Sequence, residues 1–121
     1  MALTPSIESF LAARIASVEE LEILLLVARG NAVWSPAAAA ERLGMTAEVA
    51  GANFESLVSS SLVTREAAGF RYRPGDDETR EIVSDLAREY AERRANVINV
   101  IYSANLERLR KFADAFRLRK P

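Results

Sequence analysis

Apolar residues in this chain recur first at helical spacing, then briefly every second residue, then at helical spacing again. Ile7, Phe10, Leu11 and Ile15 share one face of a helix predicted over 5–15. Ser17 opens a second helix. Glu20 follows it by three residues, the spacing of a capping box, and VEELEILLLVAR runs on to Gly30, a residue suited to ending a helix. Ala32 to Trp34 reads as a short extended piece. Ser35 caps a third helix, with Pro36 at its first position, where no N–H is needed, and Gly44 at its end. Thr46 caps a fourth, running from Ala47 to about Ser61. Its interior Gly51 weakens it by roughly 1 kcal/mol relative to Ala.

After Leu62 the period becomes two. LVTREAAGFRYRPG predicts a strand, a tight turn at Gly69 and a second strand ended by Pro74 and Gly75. Phe70 and Tyr72 alternate there with Arg71 and Arg73, which places the two arginines on one side. Asp76, Asp77 and Glu78 then begin a long helix, at the end where the backbone dipole favours acids. Its apolar seam runs Ile82, Leu86, Tyr90, Val97, Ile101 and Ala104, interrupted by Arg93 and Arg94. The chain past Ser103 either continues this helix or restarts it; Leu109, Phe112, Ala113 and Phe116 again share a face.

The predicted order is helix, helix, strand, helix, helix, strand, strand, long helix. That is a mainly α fold with a small β-hairpin wing, a winged helix-turn-helix with a long C-terminal helix. Residues 1–75 form the helix-turn-helix domain with its N-terminal helix. Residues 76–121 form a C-terminal helical segment for dimerisation, and the two make one compact unit.

Composition narrows the function classes. The 121 residues are 50% hydrophobic and 27% charged with a formal net charge of −1, ordinary for a soluble domain and far from the basic balance of a protein that holds nucleic acid by charge alone. There is no cysteine and no histidine, which removes thiol chemistry, the commonest general base and the commonest transition-metal ligand. Neither GxGxxG nor GxxxxGK occurs. The acids at 76–78 are accounted for by a helix N-terminus rather than by magnesium. The expectation is a protein that is not an enzyme and needs no metal or cofactor. No leader pattern precedes the first helix, and the run ILLLVA is far too short to cross a bilayer, so a cytoplasmic protein without membrane contact is expected. Abundant Ala, Arg and Glu with little Lys suggests a bacterial, GC-rich source.

The segment AAAAERLGMTAEVAGANFESLVSSSLVTRE resembles the winged helix-turn-helix of MarR-like bacterial regulators. Leu43, Gly44, Met45 and Thr46 match the turn, and Leu62-Val63 match the end of the DNA-reading helix without a gap. The resemblance covers roughly residues 17–75 and implies a homodimeric transcriptional regulator that binds double-stranded DNA. It departs from the pattern where the family carries Arg or Lys: Ala47, Ala52, Ser56, Ser59 and Ser60 stand at those positions, and Ser61 stands where the family has Gly.

Phosphate contact needs cations, and base reading favours Arg on guanine and Asn or Gln on adenine. The fourth helix offers Asn53 and the hydroxyls of Thr46 and Ser56, while Glu48 and Glu55 repel phosphate. The wing offers Arg65, Arg71 and Arg73. These six (Thr46, Asn53, Ser56, Arg65, Arg71, Arg73) are the expected DNA contacts. Taken alone, the fourth helix reads as well as a core helix burying Val49, Phe54, Leu57 and Val58. Its small residues Ala47, Ala50, Gly51 and Ala52 would let another backbone approach, so a protein partner on 47–61 is the alternative. The seam Ile82, Leu86, Tyr90, Val97 and Ile101, with Leu109, Phe112 and Phe116, is the expected homodimer interface. Arg108, Arg110, Lys111, Arg117, Arg119 and Lys120 read as the polar side of an amphipathic helix and a solvated tail.

Overall fold

The computed structural model describes residues 3–118, with side chains through residue 115. Arg119 and Lys120 of the expected basic tail lie outside the described residues, as do the side chains of Phe116 and Arg117. The chain is mainly helical with one two-stranded antiparallel sheet among the described residues.

Local signals start and stop most of the elements. α1 (Pro5–Arg14) is capped by the Thr4 hydroxyl, which accepts from the Ile7 N–H at 3.3 Å. α2 (Val18–Val27) is capped by Ser17, whose hydroxyl accepts from the Glu20 N–H at 3.1 Å. The return half of the expected capping box is shifted: the Glu20 carboxylate accepts from the Ala16 N–H at 2.6 Å, one residue before the cap. Glu20 is only 1% exposed, and its second oxygen has no hydrogen-bond partner among the described residues. α2 stops at Val27 rather than running to Gly30, closed by a turn in which the Gly30 N–H donates to the Val27 carbonyl at 3.4 Å. α3 (Pro36–Leu43) ends at Gly44, which takes the left-handed φ of 74°. α4 (Ala47–Ser59) starts from the Thr46 cap at 3.1 Å.

β1 (Val63–Glu66) and β2 (Gly69–Tyr72) pair antiparallel with Val63 opposite Tyr72 and Glu66 opposite Gly69. The loop is therefore Ala67-Ala68, and Gly69 opens the second strand instead of forming the turn. Its role is close approach. Trp34 and Phe70 exchange two backbone hydrogen bonds of 2.8 Å in an isolated bridge, which reduces the expected extended piece at 32–34 to Trp34. A Cβ at Gly69 would collide with the Trp34 carbonyl, and its φ of 149° is one that side chains avoid.

α5 (Asp77–Glu92) and α6 (Arg94–Leu118) replace the single long helix. The chain is helical straight through Ser103 and breaks instead at Arg93, with φ −135° and ψ 55°. The Arg93 side chain turns back onto α5 and pairs with Glu89 at 2.8 Å. The bend lets both halves reach α1: Leu86 on α5 and Val97 and Ile101 on α6 are all at most 1% exposed. α6 is tied down by Asn105, which donates to the Ala16 carbonyl at 2.9 Å, and by Arg108, which donates to that of Ala12.

One core joins these layers. Leu11, Leu21, Leu24, Phe54, Leu62 and Leu86 are among its fully buried members. Phe54 of α4 stacks on Phe70 of β2 with ring centroids 4.5 Å apart and planes within 6°. Ser61, between α4 and β1, holds φ 60°, a region glycine occupies without strain and other residues avoid. Ser61→Gly is expected to raise stability by about 0.5–1 kcal/mol, and Gly69→Ala to lower it by roughly 2–4 kcal/mol through the Trp34 clash. Urea unfolding followed by circular dichroism reads both. Equal midpoints for the two variants would contradict the assignment.

Candidate functional site

The residues expected to contact DNA lie in and around α4 and the hairpin, and most of their side chains are engaged by other residues of the chain. Asn53 donates to the Val49 carbonyl at 2.9 Å, and its oxygen lies 3.4 Å from the Ser17 hydroxyl. The one amide on α4 is thus turned toward α2. The Thr46 hydroxyl serves its own helix as the cap. Ser56 is half-buried. Arg65 is ion-paired with Glu55 of α4. Arg71 holds Glu66 with two bonds of 2.7 and 3.1 Å and donates to the Asn31 carbonyl. Arg73 lies just past β2, is exposed, and makes no ion pair among the described residues. Of these three arginines, two are ion-paired inside the chain.

The outer surface of α4 is small, apolar and acidic. Ala47, Glu48, Ala52 and Glu55 are exposed, and Val49 is 40% exposed. A Cβ on Gly51 would meet only Pro36, at an ordinary 3.9 Å. The same helix buries Ala50, Phe54 and Leu57 completely, so the core reading of its inner side holds for those residues, with Val58 half-buried against them and Val49 outside.

The expected dimer seam divides in two. Leu86, Val97 and Ile101 fill the core of a single chain, and Ile82 and Tyr90 are half-buried against it. The C-terminal half stands apart from the core. Leu109 is 65% and Phe112 70% exposed. Sequence reasoning missed Tyr102 and Leu106, each 60% exposed on the same helix. Their spacing from Leu109, seven and three residues, was the available signal. From Leu106 to Ala115 every residue of α6 is exposed.

A second feature gave no sequence signal. Between α2 and α5 lies a cleft of about 710 Å³, with the end of α3 and Tyr72 of β2 also on its wall. Among the described residues there is no cluster of three or more acids that could hold a metal ion. Asp76 caps α5, accepting from the Thr79 N–H at 2.7 Å, and that bond holds its carboxyl below the usual range. No helix among the described residues is long and apolar enough to cross a membrane. Comparisons with protein-family models, curated proteins and solved structures give no match.

The Arg71 hydrogen bonds hold the Glu66 carboxyl below its ordinary value, while the same contact raises Arg71. A depressed carboxyl contributes stability that is complete above its unfolded pKa and is lost as pH falls through the lower, folded one. Glu66→Gln is therefore expected to flatten the acid side of the stability curve while leaving the value near pH 7 to 8 the most reduced. Urea midpoints measured from pH 2 to 8 test this. An unchanged acid slope would remove the pair from the account of the hairpin.

Proposed function

We propose that this chain is a winged-helix-type module that acts through protein contacts, beginning with its own dimerisation through α6. The observation that carries this reading is the exposed stretch Leu106 to Ala115, helical throughout and bearing apolar residues on one side. An isolated helix of such length is marginal in water, and its stability ordinarily comes from packing an apolar face. Tyr102, Leu106 and Leu109 expose roughly 400 Å² between them, at the scale of the largest apolar patch on a typical monomer. Two copies would cover about 800 Å² from these side chains, near the threshold of a specific interface once flanking residues are added. Antiparallel pairing centred between Arg108 and Leu109 sets Glu107 of each copy opposite Arg110 of the other, replacing the 3.6 Å pair they make within one helix. α4 then remains as an outward face of small and acidic residues for a protein partner.

Leu109→Glu is expected to halve the mass measured by light scattering at tens of micromolar while leaving the helical signal of the folded body intact. A wild-type monomer at that concentration would sink the dimer.

DNA binding is the second reading, favoured by the α3–α4 pair followed directly by a hairpin and by the unpaired Arg73. Its affinity would be weak and steeply salt-dependent, since few cations are free to displace counterions. A fluorescence-anisotropy titration with a random duplex at low salt separates the readings. Binding in the micromolar range, weakened several-fold by Arg73→Gln and strengthened by Glu55→Gln, supports DNA; no binding well above micromolar removes it.

A further inference from the structure

The cleft between α2 and α5 gathers several arginines on its wall. Arg29, Arg42 and Arg80 all line it, and none of the three makes an ion pair among the described residues. The single acid on the wall is Glu22, already engaged by the Tyr90 hydroxyl at 3.0 Å and Arg94 at 2.9 Å. Arg29, Arg42 and Arg80 are left without that partner.

Much of the wall is apolar. Leu25, Leu26 and Val83 form it together with Ala87 and Ala91. On α5 the lining residues recur at three- and four-residue steps from Arg80 to Ala91, a stripe about 16 Å long at the helical rise. Tyr72 adds a polar group: it is 6% exposed, and its hydroxyl is buried with no hydrogen-bond partner. The Arg80 guanidinium lies over its ring, 5.5 Å from the centroid. A buried hydroxyl without a partner is costly and uncommon. The cleft thus combines an apolar stripe with three arginines that make no ion pair among the described residues. Its volume is within the range of small-molecule sites.

We propose that this cleft binds a single-chain amphiphile with an anionic head, of the fatty-acid type. The head sits at Arg80, Arg29 and Arg42, and the chain lies along Val83, Ala87 and Ala91. The site is independent of whether the protein contacts DNA or a protein partner, because none of the residues invoked belongs to α4 or to the exposed half of α6.

The test is calorimetric titration of the full chain with dodecanoate below its micelle concentration. The expected result is saturable binding at one site per chain and a raised melting temperature. Arg80→Gln combined with Arg42→Gln should weaken binding at least tenfold. Ala87→Trp, at an exposed position that fills the cleft, should abolish it while the variant keeps its helical content. Dodecanol and inorganic phosphate should each bind far more weakly than dodecanoate. Non-saturable uptake of dodecanoate, equal affinity for dodecanol, full binding by Ala87→Trp, or an equal shift with phosphate alone would each overturn the proposal. So would co-sedimentation with phosphatidylglycerol vesicles in the absence of saturable binding of free dodecanoate, which would make the cleft a membrane contact.

Discussion

The stacked pair of Phe54 and Phe70 is the contact around which the rest is arranged. It fastens α4 to the hairpin and fixes the rotation of α4 about its own axis, because Ala50, Phe54 and Leu57 must all point inward. Phe70 is also the residue whose backbone pairs with Trp34, so the connection before α3 is joined to the same point. Gly69 permits that pairing by having no side chain. Helix pair, hairpin and connecting segment are therefore one unit, and small changes at this junction propagate to all three.

The chemistry at the surface follows from that fixed rotation. With its apolar side committed inward, α4 presents Glu48, Glu55 and small residues outward, and Glu55 meets Arg65 across from the first strand. Arg71, one residue beyond the stacked Phe70, finds Glu66 on the paired strand. The arrangement turns the cations of the hairpin into partners for neighbouring acids. Arg29, Arg42 and Arg80, which line the cleft between α2 and α5, make no ion pair among the described residues.

The bend at Arg93 distributes apolar surface between inside and outside. A straight helix from residue 77 onward would carry Leu86 against α1 and then leave the domain, taking Val97 and Ile101 into water. The break returns them to the core and lets Asn105 and Arg108 grip the end of α1. Periodicity reports that a face is apolar. It is silent on whether the same chain or another covers that face, which is why the predicted seam divided into core residues, such as Leu86 and Ile101, and exposed ones, such as Leu109 and Phe112.

The sequence by itself determined the elements and most of their ends: Thr4, Ser17, Ser35, Thr46 and Asp76 cap five helices through bonds to residues three positions on. These are local interactions, complete within one turn of chain, so a reader of residues can find them. It also determined the hairpin, through the alternation of Phe70 and Tyr72 with arginines, and the apolar membership of the core. Tertiary structure decided the rest. The pairing of Arg65 with Glu55, the turning of Asn53 toward Ser17, the bend at Arg93 and the gathering of three arginines around one cleft depend on the relative placement of residues far apart in the chain. Distances through space between side chains are set by packing, and neither residue type nor spacing along the chain contains them.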